Sequence, residues 1–190
     1  EDNNMANLDA AFGFSPVGKI GGGTSSAMNS YSTLANYATA LFQGDIVKID
    51  EAEGDVQLFA AGDGGTAATN AIGVFWGVSY DDSNGKPTFS NQKAASLATT
   101  CFVYDDPYQV FEIQGDAASA QTDLSKLGDI AHTAGNTTTG VSKTEIDSAN
   151  FGGANKFNCK VVGFSKKEGR NDVGSANLVY EVLINEHKYK

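Results

Sequence analysis

The sequence predicts a mainly β protein, an antiparallel β-barrel or sandwich carrying one short helix and an extended N-terminal arm. Three observations predict it. From Ala38 onward, apolar runs of strand length recur at intervals of roughly ten residues, the spacing of a sandwich or barrel. Between the runs stand Gly, Asp, Asn and Ser, which supply positive φ or local side-chain bonds at turns. Only one stretch, around Ala117 to Leu127, carries a helical pattern, and Gly128 would stop it.

A chain of 190 residues has room for one β domain, expected over 37–190, preceded by the arm over 1–36. The arm segment GKIGGGTSSAMNSYS has few charges and neither a helical nor an alternating period. It cannot bury enough surface to offset its own ordering entropy, so it is expected to be either disordered or laid extended on a partner or a neighbouring subunit. Its scattered apolar residues, Phe12, Phe14, Val17 and Ile20, are the candidate partner-binding anchors.

In the body, the candidate strands are ATALFQ, GDIVKIDE, DVQLFAA, AIGVFWGVSYD, CFVYDD, YQVFEIQ, GDIAHTA, CKVVGFS and NLVYEVLIN. The last alternates most cleanly: Leu178, Tyr180, Val182 and Ile184 share one face, and Val179, Glu181, Leu183 and Asn185 the other. Asp82-Ser83-Asn84-Gly85-Lys86-Pro87 marks a tight reversal after Tyr80. Asp105-Asp106-Pro107 marks another. Gly44-Asp45 and Gly128-Asp129 each precede an apolar run, where the Gly frees the backbone angle and the Asp can accept from nearby backbone donors.

Composition narrows the partners. The formal net charge is −10 and the 13 Lys and Arg form no stripe, so phosphate neutralisation has no source and no nucleic-acid partner is expected. The same acid excess opposes an anionic membrane surface, and no apolar run approaches the roughly 20 residues that span a bilayer, so no membrane partner is expected either. The opening EDNNMANLDAAF is polar and acidic, unlike a secretory leader.

Catalytic patterns are sought and not completed. GFSPVGK at 13–19 lacks the Ser or Thr that a P-loop places next for magnesium, since Ile20 follows. GVSYD and GFSKK lack the final Gly of a nucleophile elbow. His132 and His187 sit in polar surroundings and read as ordinary surface histidines. The doublets Asp81-Asp82 and Asp105-Asp106 fit turn formation, because neighbours on a strand point to opposite faces. Neither DDSNGK nor GDGGTAATN has the spacing of a calcium loop. Cys101 and Cys159 stand in separate apolar segments and are expected as buried free thiols. The chain is therefore expected to be no enzyme, with no catalytic residue, no cofactor and no metal. Trp76 in AIGVFWGV reads first as a core residue. An exposed stacking role for it would make the chain a carbohydrate- or host-surface-binding module, which is the runner-up expectation.

Several segments in order resemble a family of head-associated decoration, or cement, proteins of tailed bacteriophages, particularly marine and cyanobacterial ones. The segments are GFSPVGKIGGG, ATALFQGDIVKI, IGVFWGVSYDDSNGKPTFSNQKAAS, CFVYDDPYQVFEIQGD and VYEVLINEH. The resemblance implies a β-barrel or sandwich body, a homo-oligomer on the outer surface of the capsid, and major capsid protein as the partner. The implied task is stapling neighbouring coat subunits against internal pressure. A trimer would suit the local three-fold positions of an icosahedral shell.

Overall fold

The computed structural model describes residues 6–23, 27–60, 62–66, 69–152 and 158–190. Positions 1–5 and 24–26 of the expected arm lie outside them, as does Ala61 at the end of one candidate strand. The architecture is mainly β, with two larger antiparallel sheets that pack as a sandwich and two two-stranded ones beside them. No helix among the described residues is long and apolar enough to cross a membrane.

The strands are β1 (Ser15–Lys19), β2 (Asn29–Thr33), β3 (Leu41–Phe42), β4 (Ile46–Ile49), β5 (Val56–Leu58), β6 (Ala71–Asp81), β7 (Pro87–Ser90) and β8 (Gln92–Lys93). They continue with β9 (Thr99–Tyr104), β10 (Gln109–Gln114), β11 (Leu127–Gly128), β12 (Ile130–Ala131), β13 (Glu145–Ile146), β14 (Cys159–Phe164) and β15 (Val179–Ile184). The first sheet runs β1-β10-β15-β14-β11, the second runs β2-β9-β6-β4-β5, and the two-stranded ones are β3-β8 and β12-β13. Long β6 takes β4 along its first half and β7 along its second, the β6–β7 hairpin closing at the reversal read from Asp82 to Pro87. There Asp82 accepts from the backbone of Asn84 (2.8 Å) and Lys86 (3.0 Å), which is the turn chemistry expected of it.

Two cores flank the second sheet. Between the sheets, Ile46, Ala71 and Val74 meet Phe14, Phe111, Ile113, Val161, Tyr180 and Val182. On the opposite face, Val47, Ile72 and Phe75 pack with Leu41, Val56, Cys101 and Val103. Alternation along β4 and β6 thus sends neighbouring side chains into different cores. Tyr31 of β2 and Leu58 of β5 both close over the second core, so the sheet curls toward itself. Along β15 and its flanks, Leu178, Tyr180, Val182 and Ile184 are buried while Glu181, Leu183 and Asn185 are half-buried, as the alternation predicts, but Val179 on the second face is buried as well.

The Gly44-Asp45 corner shows how local chemistry enters a strand. Gly44 has φ +94°, and a Cβ there would lie 2.8 Å from the Phe12 carbonyl oxygen, so only glycine fits. Asp45 accepts from the Phe42 amide (2.8 Å) and the Ser142 hydroxyl (2.5 Å) in a buried setting. Burial pushes the Asp45 carboxyl above the usual range, against the pull of those two bonds.

Two expectations are corrected. The stretch from Ala117 to Leu127 holds only a single 3₁₀ turn, Gln121–Asp123. Its side chains bond elsewhere: Ser119 donates to the Ser175 carbonyl, while Asp123 accepts from the Ala120 amide and the Tyr180 hydroxyl, and Ser125 takes a left-handed φ of 68°. The described part of 1–36 is extended but lies on its own chain. β1 is an edge strand of the first sheet, β2 an edge strand of the second, and Phe14 is 1 % exposed. The segment lacks a periodic face because the backbones of β10 and β9 hold it, with Ser15–Lys19 registered on Gln109–Glu112 and Asn29–Thr33 on Thr99–Val103.

Candidate partner-binding surface

The first sheet covers only part of the outer face of the second. Where β6 pairs with β9 the register slips between Phe75 and Gly77, leaving Trp76 as an extra residue. The bulge turns the indole onto the outer face, edge-on against Tyr104 at 5.2 Å. Beyond it, Met28, Trp76, Phe89 and Phe102 line an open apolar cleft of about 410 Å³. Phe89 is 74 % exposed and stacks on Phe102 with ring centres 6.4 Å apart. These side chains gather exposed aromatic surface on one face of the sheet, the kind of patch a partner could cover. Trp76, expected in the core, is half-buried at its border.

The four arm anchors separate into two kinds. Phe14 meets Phe111 edge-on at 5.9 Å inside the inter-sheet core, so it is unavailable to a partner. Phe12 is half-buried beneath the Arg170 guanidinium, 4.9 Å from the ring centre. Val17 and Ile20 point to solvent, Val17 at a register slip between Pro16 and Gly18. Pro and a bulge on an edge strand block indiscriminate strand addition, so contact there would run through side chains. The exposed apolar set extends past these anchors to Leu8, Met28 and Leu34, which their polar surroundings in the sequence had masked.

Residue types that recur in catalysis lie mostly in buried or hydrogen-bonded positions. Ser142 is fully buried, donates to Asp45 and accepts from the Thr144 amide at 3.1 Å. His132 Nδ1 bonds the Thr144 hydroxyl at 3.0 Å. His187, expected on the surface, is 2 % exposed and accepts from the Tyr189 amide through Nδ1, because the C-terminal residues fold back along Ala71. Both cysteines are buried free thiols, and burial pushes Cys101 up to about 12. Lys93 is fully buried with its ammonium on the carbonyls of Tyr37, Thr39 and Ala94, and burial lowers its pKa.

Asp105 and Asp106 differ from one another more than a turn requires. Asp106 pairs with Lys19, which together with the Tyr108 amide (2.9 Å) keeps its carboxyl below the ordinary range. Asp105 is 9 % exposed and is reached by Asn29 and Tyr31 across 76 and 74 positions of sequence. Such a long-range meeting leaves no mark in local spacing. Among the described residues no group of three or more His, Cys, Asp or Glu is placed to hold a metal ion. No family model matches the chain, and neither a curated protein nor a solved structure does.

Proposed function

We propose that this chain is a structural, non-enzymatic virion protein that decorates the outside of a tailed-phage capsid, bridging major capsid protein subunits and stabilising the shell. One observation carries the reading. Of nine exposed large apolar side chains among the described residues, five (Leu8, Val17, Ile20, Met28 and Leu34) belong to the N-terminal segment. That segment also supplies an edge strand to each sheet. Apolar groups gathered on one bordering segment supply the desolvation that a partner contact requires. The ordered resemblance of the sequence to head decoration proteins supplies the identity of the partner. A net charge of −10 suits an outward surface that keeps particles apart. A homo-oligomer, with a trimer favoured, would match the local symmetry of the shell.

The test is co-sedimentation with undecorated mature heads, comparing the full chain with a Val17→Asp, Ile20→Asp, Met28→Asp variant. Saturable binding at a fixed ratio to coat subunits is expected, lost in the variant while its thermal unfolding stays unchanged. Absence of binding by the full chain overturns the reading. Deleting 1–36 is a poor probe, because it removes β1, β2 and the core residue Phe14 together.

A further inference from the structure

We propose a second site, a saccharide-binding cleft between the N-terminal strands and the C-terminal residues. Asn29, Tyr31, Asp105, Asp106, Tyr108 and Tyr189 line an open hollow of about 650 Å³. Its floor is held in place from within. Asn29 Nδ2 donates to both oxygens of Asp105 (3.0 and 2.8 Å), the Tyr31 hydroxyl donates to one of them (2.6 Å), and the Tyr31 and Tyr189 hydroxyls meet at 3.3 Å. Its rims are two aromatic side chains left in water, Tyr108 at 57 % and Tyr189 at 53 % exposure.

Chemistry selects the occupant by elimination. An anion would meet the Asp105 carboxylate, which carries no cationic partner among its bonds from Asn29 and Tyr31. A metal ion would have to displace the amide and phenol donors already directed at that carboxylate, and an ammonium group would find only the one acceptor site they leave, with Asp106 already paired to Lys19. An apolar ligand would strip water from the polar floor and return no hydrogen bond to it. What fits is a neutral ligand with hydroxyls on its edge and a C–H face. A pyranose ring has both: its hydroxyls can donate to the remaining lone pairs of Asp105 and exchange bonds with the phenols, while its face covers a tyrosine ring.

This site is independent of the shell-binding reading, although Ile20 and Tyr108 are joined by a backbone bond (3.1 Å) and the two surfaces share a border. The test therefore uses the free full-length chain, in which the cleft is open whether or not the edge docks. The chain is applied to an array of neutral glucose, galactose, mannose and N-acetylhexosamine oligosaccharides printed beside sialylated and sulfated ones, and titrated with an arginine-rich peptide. Retention by neutral oligosaccharides alone is expected, weakened about tenfold in Tyr108→Ala and in Tyr189→Ala with no change in melting temperature. The proposal is overturned if no neutral oligosaccharide retains the full chain or if both tyrosine variants bind as before. A preference for the acidic glycans or for the peptide overturns it equally.

Discussion

At the scale of the residue, the buried polar groups decide most. Asp45 accepts from both the Phe42 amide and the Ser142 hydroxyl at the Gly44 corner. Asp45→Ala should cost about 2–4 kcal/mol in chemical denaturation, because two buried donors lose their acceptor. Asp45→Asn, which keeps an oxygen there and removes a buried charge, should cost much less. His187 makes a second prediction. Burial first, and Lys190 second, lower its pKa to about 4, with Asp105 and Asp106 pulling the other way. An unfolded histidine titrates near ~6.5, so between these values the unfolded chain binds more protons. The contribution is complete above about pH 6.5 and is lost as pH falls toward 4, by at most about 3 kcal/mol. Asp45 and Glu145, both raised chiefly by burial, act with the opposite sign. The measurement is thus the difference between the parent chain and His187→Gln at pH 7 and pH 4.5. A stability gap that does not shrink on acidification would contradict it. The sequence placed His187 on the surface because its neighbours Glu186 and Lys188 are polar, and nothing local reports the docking of the C-terminal residues against Ala71.

At the scale of the element, two parts of the N-terminal segment should respond in opposite ways. Phe14→Ala removes a ring packed on Phe111 in the inter-sheet core and should cost about 3–5 kcal/mol. Val17→Asp, at a solvent-facing position two residues past Ser15, should change stability by about 0.5 kcal/mol or less. Paired thermal and urea melts read both, and equal losses would mean that β1 is not seated as described. The contrast also explains what the sequence disclosed. β4, β6, β9, β10, β14 and β15 were legible because each buries its own apolar side chains. β1, β2 and β13 were not, since their places are set by partner backbones at β10, β9 and β12. The stretch 117–127 failed for the converse reason: its helical composition is overruled where Ser119 donates to the Ser175 carbonyl and Asp123 accepts from the Tyr180 hydroxyl. The polar cleft stayed hidden because Asn29, Asp105 and Tyr189 meet only after both sheets have formed.

At the scale of the whole molecule, the question is whether two cores make one cooperative unit. Cys159 lies in the core between the sheets and Cys101 in the core enclosed by the curled second sheet, so each thiol reports on one of them. The cores share β4 and β6, where Ile46 and Val47, and Val74 and Phe75, alternate between them. Gly73, near the start of β6, runs close to the Tyr104 carbonyl, where a Cβ would collide, so this wall is also tightly fitted. Losing either core would expose one face of that shared wall, and a half-exposed apolar sheet is not a stable intermediate. Both thiols should therefore be inert in native buffer and become reactive at the same denaturant midpoint, scored residue by residue through pulsed alkylation and mass spectrometry. Leu58→Ala, at a half-buried position against the Cys101 core, should lower both midpoints together by an amount matching about 1–2 kcal/mol. If Cys101 were labelled well before Cys159, the curled sheet would open by itself. The apolar cleft bordered by Trp76 and Phe89 would then belong to a separately melting element.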